Sequence, residues 1–206
     1  MFALVENNQF VKTISSSKGI EINGVQYPKT IFTLWTNAER EAIGIYEVVV
    51  DATNKKDEAY YINTNVSYSY SNGVVTASWG TPTAKPLDNV LFVEGDEIPE
   101  DKAVGDIKQY GLKPQHKQTV NNQANGLLSK YDWYVIRKQE DSTSTIPSDV
   151  STYRTNVRAK ANEMCTQIDG ASDVDALKAL YEYTNTGTEE SPVFTRPLAE
   201  FPEEIE

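Results

Sequence analysis

The sequence has few of the residues on which covalent and metal chemistry depend. It contains one cysteine, Cys165, and one histidine, His116, among 206 residues. One cysteine excludes an intrachain disulfide, and one histidine leaves no histidine cluster for a transition metal. The sequence also has no glycine-rich phosphate loop, no zinc-ligand spacing and no calcium loop. We therefore expect no metal and no cofactor.

Basic residues are scarce too. There are 19 Lys and Arg against 30 Asp and Glu, which gives a formal net charge of −11 at pH 7. Nucleic acids and anionic membrane surfaces both require clusters of Lys and Arg, so neither is an expected partner. No apolar run approaches the roughly 18 residues of a membrane span, and residues 1–6 lack the basic start of a signal peptide. The sequence predicts a cytoplasmic protein.

Candidate catalytic residues have no recognisable partners. A hydrolase needs a nucleophile, a base and an orienting carboxylate, and no such set accompanies His116. Cys165 follows an apolar helical residue, and no basic residue is patterned to activate its thiol. A run of acids could collect a hard cation, although such a run more often forms a solvated face; it comprises Asp96, Glu97, Glu100 and Asp101. We predict that the protein is not an enzyme.

Residues 1–85 predict a small β-rich domain of antiparallel hairpins. The pairs Asn7-Asn8, Asn23-Gly24 and Asn72-Gly73 tolerate positive φ and separate short β-type segments. Thr36, with Glu39 three residues later, predicts the start of a short helix. Beyond it, Tyr and Ser alternate up to the turn at residue 72, which predicts a half-buried strand.

Two segments are acidic. Residues 86–110 predict a linker, because prolines interrupt them and Asp88–Lys108 holds seven acids and two Lys. A quartet within it, Val90–Val93, could form a lone edge strand. Residues 186–206 hold six acids, one Arg and three prolines, so they predict an extended arm. Self-repulsion would keep both segments extended and available to a partner.

Residues 111–185 predict a helical domain. One helix follows Pro114, and a second begins at Pro147-Ser148-Asp149 and ends at Gly170. The second helix carries an apolar stripe at spacings of three and four, formed by Val150, Tyr153, Val157, Ala161, Met164 and Ile168. Ser172 and Asp175 predict the capping box of a third helix, close enough for an antiparallel helical hairpin. The fold class predicted for the chain is α+β.

The richest block of the sequence is Asp132-Trp133-Tyr134-Val135-Ile136-Arg137-Lys138, with Tyr153, Arg154 and Arg158 downstream. One interpretation is a local clasp, in which Trp133 packs on the helix that follows and an arginine stacks or pairs with Asp132. The other is a docking patch, since Trp, Tyr and Arg dominate interface hot spots. The two are compatible. The candidate partner-binding residues, including three from the arm, are Trp133, Arg137, Tyr153, Arg154, Arg158, Phe194, Leu198 and Phe201.

This block, followed by Ile146-Pro147 and the Tyr153-Arg154…Val157-Arg158 motif, resembles the C-terminal region of tail-fibre-associated and tail-fibre assembly proteins of tailed bacteriophages, especially marine and cyanobacterial ones. Residues 25–45 are similar to the start of the same proteins, so the resemblance covers roughly residues 20–50 and 112–202. Here Arg196–Pro202 stands where family members often end in a Trp/Pro-rich tail.

The resemblance implies a tail-fibre assembly chaperone that binds fibre subunits in the host cytoplasm during phage assembly. An alternative is a minor structural protein of the virion tail, at the baseplate or the fibre attachment. A further alternative is a carbohydrate-binding tail module that uses Tyr68, Tyr70 and Trp79 as a stacking face. Homo-oligomerisation stays open, because the apolar stripe is shorter than a convincing coiled coil.

Overall fold

The computed structural model describes residues 1–205 and has an α+β fold, as the sequence predicts. The chain divides into two compact units: unit 1, Met1–Thr83, and unit 2, which begins at Ala84. Unit 1 holds eight strands and two short helices; these are β1 (Phe2–Glu6), β2 (Gln9–Ile14), β3 (Ile20–Ile22), β4 (Val25–Tyr27), α1 (Ile31–Leu34), α2 (Asn37–Glu41), β5 (Ile45–Asp51), β6 (Tyr61–Ile62), β7 (Ser67–Ser71) and β8 (Val74–Ser78). The two-residue strand β9 (Thr83–Ala84) lies at the boundary.

Unit 1 is built on a five-stranded sheet with the order β2-β1-β5-β8-β7. Its edges are antiparallel hairpins, whereas the central strands β5 and β8 pair in parallel, with Val48 opposite Val75. The prediction of antiparallel hairpins alone is therefore wrong at the centre of the sheet. A parallel pair needs a crossover connection, and here residues 52–73 supply it. Local turn signals do not reveal such a pairing.

The sheet curls, so that its two edge strands approach each other. Phe10 on β2 stacks on Tyr68 of β7, with ring centroids 4.8 Å apart. The concave face encloses a core of small residues, which are Ala3, Val5, Val48, Val75 and Ala77. The other face is covered by α1 and the β3–β4 hairpin, through a second core of Leu4, Ile14, Ile22, Ile31, Phe32 and Ile45.

The predicted turns of unit 1 are confirmed. Asn7, Asn23 and Asn72 all adopt positive φ, and Gly24 follows Asn23 with a φ of 77°. The capping box at α2 is confirmed as well: Thr36 accepts a hydrogen bond from the Glu39 backbone N–H, and the Thr36 N–H donates to the Glu39 carboxylate. Local chemistry accounts for these elements, because each requirement is met within a few residues.

Unit 2 contains four helices and two small hairpins. Its elements are β10 (Val90–Leu91), β11 (Ile107–Gln109), α3 (Leu112–Ser129), α4 (Asp132–Glu140), α5 (Ser148–Asp169), α6 (Val174–Ala179), β12 (Thr184–Asn185) and β13 (Phe194–Thr195). Residues 86–110 were expected to be an extended linker, but β10 and β11 pair there and Phe92 is buried. Gly111, just before α3, lies so close to the backbone of Asp88 that a Cβ atom at residue 111 would overlap the Asp88 carbonyl.

The main helix packing in unit 2 joins α3 and α5. The two helices are antiparallel, because Lys117 near the start of α3 pairs with Asp169 at the end of α5, at 2.7 Å. All six residues of the predicted α5 stripe are buried. The α6 prediction is displaced by one residue: Asp173, and not Ser172, caps the helix by accepting a hydrogen bond from the Ala176 N–H at 2.8 Å. The prediction of a hairpin between α5 and α6 is therefore wrong: the main antiparallel packing joins α5 to α3, with α4 between them in the sequence.

Candidate functional surface

The helix α4 follows α3 after two residues and buries none of its nine residues. Its exposed apolar side chains are Trp133, Val135 and Ile136, with exposed fractions of 49%, 41% and 57%. Trp133, Ile136 and Arg137 are three and four residues apart and therefore share one side of the helix; we call these three residues the α4 face. Isolated helices shorter than about 12 residues are marginal in water, so α4 depends on what holds its ends.

The beginning of α4 is held by a buried arginine. Arg154 on α5 is 7% exposed, and its guanidinium lies 2.8 Å from the Asp132 carboxylate. The same Nη1 atom donates to the Leu128 carbonyl, at 2.8 Å, near the end of α3. Arg154 therefore ties the end of α3 and the first turn of α4 to α5. This arrangement confirms the pairing of an arginine with Asp132 that the clasp hypothesis predicts.

Trp133 does not have the position that the clasp hypothesis predicts. Its ring stacks on Tyr134, the next residue of the same helix, with centroids 3.7 Å apart, and half of it is exposed. Tyr153 is instead the buried aromatic residue of the α5 stripe, and it meets Tyr131 edge-on at 5.3 Å. The large apolar body of Trp133 is therefore available at the surface.

Two cations lie in the last turn of α4, and a third, Arg158, lies on α5. Arg137 and Lys138 occupy the last turn of α4, where the helix dipole stabilises positive charge, and both are exposed. Neither has an ion pair within residues 1–205. Arg158 is exposed one turn beyond Arg154 on α5, and its guanidinium donates to the Arg154 carbonyl at 3.3 Å.

The loop after α4 is ordered by Asp141. Its carboxylate accepts hydrogen bonds from the Thr143 and Ser144 hydroxyls, and these bonds lower the pKa of Asp141. Together with Tyr134 and Arg137 the loop borders a polar cavity of about 450 Å³. The charged end of the α4 face therefore opens onto a concave surface.

The last residues of the chain lie on unit 2 itself. We call residues 197–205 the C-terminal strap. Leu198 is buried, and its N–H donates to the Leu180 carbonyl at 3.0 Å. Gln167 on α5 bonds the Pro197 carbonyl and the Ala199 N–H, at 3.0 and 2.8 Å. These contacts contradict the expectation of a free arm. Leu198 is buried against unit 2, and the composition of the segment does not predict this contact.

The other end of the strap reaches the start of α4. Lys130 pairs with Glu204 at 2.6 Å, and the Tyr131 hydroxyl donates to the Ile205 carbonyl at 3.2 Å. Of the three arm residues singled out from the sequence, Leu198 is covered, Phe201 is half-buried, and Phe194 on β13 is 61% exposed. Only Phe194 keeps a large surface for a partner.

The aromatic strand of unit 1 is covered by its own neighbours. Tyr68 stacks on Phe10, and the Tyr70 hydroxyl donates to that of Tyr46 at 3.1 Å. This hydrogen bond, with burial, raises the pKa of Tyr46 to about 12. The Lys55 ammonium lies 5.2 Å from the ring centre of Trp79. Tyr68, Tyr70 and Trp79 are therefore each partly covered by neighbouring side chains of unit 1.

His116 and Cys165 are both partly buried in unit 2. His116 is half-buried against Tyr181, with ring centroids 4.7 Å apart, and burial lowers its pKa. Burial raises the pKa of the Cys165 thiol. Residues 1–205 contain no group of three or more His, Cys, Asp or Glu side chains arranged to hold a metal ion, and Asp96 pairs with Lys108 at 2.7 Å. No helix in the described part of the chain is long and apolar enough to cross a membrane.

The α4 face was only partly predicted. Trp133 and Arg137 belong to the predicted set, whereas Ile136 does not. Four consecutive aromatic or aliphatic residues in a nine-residue helix were the available signal, since such a helix cannot turn all of them toward one core. Comparisons with protein-family models, with curated proteins and with solved structures give no match for this chain.

Proposed function

We propose that this chain is a non-enzymatic bacteriophage tail protein that acts as a tail-fibre assembly chaperone and binds fibre subunits through the α4 face. The phage context rests on the resemblance carried by residues 20–50 and 112–202, and the binding surface rests on the geometry of unit 2. On this proposal the protein acts in the host cytoplasm during phage assembly.

The observation that carries the proposal is that α4 exposes Trp133, Val135 and Ile136 and buries nothing. Trp and Arg are the residue types that contribute most at protein interfaces, and here Trp133 and Arg137 are one turn apart. A partner that covers the α4 face would bury its apolar side chains, each contributing about 1 kcal/mol, because each is already about half covered.

A fibre subunit before trimerisation exposes unpaired strand edges and apolar surface, both of which promote aggregation. A chaperone needs to cover such a surface and then release it, which suits a small apolar face on a stable helical pair. Lys130, Gln167 and Leu180 of the same chain hold the strap, so the α4 face and not the strap has this role, with Phe194 as a second point of contact.

The proposal is tested by co-expressing the fibre subunit of the same phage with the wild-type chain or with the Trp133→Ser/Ile136→Ser variant. We expect the wild type to raise the yield of soluble fibre trimer, and the variant to leave the yield at the level seen without the chain. Leu34→Ser is the matched control, because Leu34 is 77% exposed in unit 1 and should not affect the yield. A variant that works as well as the wild type would contradict the proposal.

Purified virions provide a second test. A chaperone leaves the particle, so mass spectrometry of virions should not detect the chain at the copy number of the fibre. Presence at that copy number would contradict the chaperone and support the alternative of a minor structural protein at the baseplate or fibre attachment.

A further inference from the structure

We infer that the partner of the α4 face contributes an acidic segment with apolar side chains, bound in an extended conformation. This inference rests on the proposed function, because it names the chemistry of the partner for the same surface. It is carried by the charges around α4, by the spacing of its side chains, and by the way unit 2 holds its own strap.

Charge is the first argument. The chain as a whole has a net charge of −11, yet Arg137 and Lys138 are adjacent and exposed in the last turn of α4. Arg137 and Lys138 have no ion pair within the described residues, although acidic residues are common in the chain. Exposed cations beside an apolar face favour a partner that brings carboxylates to the rim of the interface.

Spacing is the second argument. Trp133 and Arg137 are four residues apart on α4, so they lie about 6 Å apart along the helix axis. In an extended strand, side chains two residues apart lie on one face at about 6.6 Å. An apolar residue and a carboxylate at positions i and i+2 of an extended segment therefore match Trp133 and Arg137.

The strap also supports the inference, because it is an acidic, extended segment that unit 2 binds beside the start of α4. It is extended and acidic, with Leu198 as a buried apolar residue. Lys130 holds its Glu204 at 2.6 Å, and Lys130 lies two residues before α4 begins. The α4 face continues the same combination of aromatic and basic residues, from Tyr131 and Lys130 to Trp133 and Arg137.

The test uses a random library of peptides about twelve residues long, selected on the wild-type chain after depletion on the Trp133→Ser/Ile136→Ser variant. We expect the enriched peptides to be net negative, with apolar residues alternating with Asp or Glu. The affinity of an enriched peptide should fall about tenfold for Arg137→Glu/Lys138→Glu. Lys12→Glu/Lys18→Glu, with the same change of charge in unit 1, should bind as the wild type does.

The outcomes separate the two proposals. Enriched peptides that are neutral or basic, or that bind equally to Arg137→Glu/Lys138→Glu, would overturn the acidic partner while retaining the α4 face as a binding surface. If no peptide is enriched whose binding depends on Trp133 and Ile136, the α4 face is not a binding surface, and both the proposed function and the acidic partner are overturned. The apparent mass of the chain is also measured by sedimentation at several concentrations. If it rises with concentration, and Trp133→Ser/Ile136→Ser abolishes the rise, the α4 face binds a second copy of the chain and the inference is contradicted.

Discussion

The helices α4 and α5 follow one another in unit 2, and both are rich in aromatic and aliphatic residues. α5 buries seven residues, including Tyr153 and Ile168, whereas α4 buries none. The apolar residues of α5 recur every three or four positions and therefore form one stripe, which packs on α3. Those of α4 occupy positions 133–136 in succession and therefore point around the helix. The pattern, more than the number of apolar residues, decides which helix is core and which is surface.

The largest effect should come from truncating the same residue type in each helix. Ile168 is fully buried and Ile136 is 57% exposed. We expect Ile168→Ala to lower the free energy of unfolding by about 2–5 kcal/mol, because it removes buried methyl groups and leaves a cavity. Ile136→Ala should change it by no more than about 0.5 kcal/mol. Urea titrations followed by circular dichroism measure both, and equal losses would contradict the assignment of α4 to the surface.

A smaller effect should come from the ion pair that joins the two helices. Removing the Asp132 carboxylate leaves the buried guanidinium of Arg154 with the Leu128 carbonyl as its remaining acceptor within residues 1–205. Because Asp132 is half exposed, we expect Asp132→Ala to cost about 1–3 kcal/mol, less than a fully buried pair would. Arg158→Ala, which removes an exposed neighbour, is the control. If both variants have wild-type stability, the clasp does not hold α4.

The smallest effect should be a pH dependence that comes from the packed part of unit 2 and not from α4. Burial lowers the pKa of His116 below its ordinary value of 6.5. The unfolded chain therefore binds the proton at higher pH than the folded chain, so stability falls as the pH drops through 6.5. Carboxyl groups whose pKa is lowered by hydrogen bonds, such as those of Asp173 and Glu39, stay ionised in this range.

Urea titrations at pH values from about 7.5 to 5.5 check this prediction. The slope of stability against pH should be reduced in His116→Asn and unchanged in Ile136→Ala. An unchanged slope in His116→Asn would show that another group is responsible.

The sequence predicted what short-range chemistry determines. The positive φ at Asn23 and Asn72, the capping box of Thr36 with Glu39, and the buried stripe of α5 each depend on residues within a few turns of chain. The parallel pairing of β5 with β8 could not be predicted in this way, because it depends on where the chain returns after residues 52–73.

The acidic segments show a second limit. Their composition predicted extended chain, because most of their side chains are charged and exposed. Each segment nevertheless has one buried residue within residues 1–205, Phe92 in the first and Leu198 in the second, which packs on unit 2. A count of charges does not detect such a contact. At the candidate surface, the pairing of Arg154 with Asp132 was predictable from their types, whereas the exposure of Trp133 was not, since Tyr153 already occupies the core position.

Hydrogen exchange at residues 132–140 tests most directly whether α4 binds a fibre subunit, as we propose. We predict that these amides exchange earlier than those of α5 in the free chain, and that the fibre subunit slows them by at least about tenfold while leaving α5 unchanged. If the subunit binds and the exchange of residues 132–140 stays as it is in the free chain, the account is contradicted.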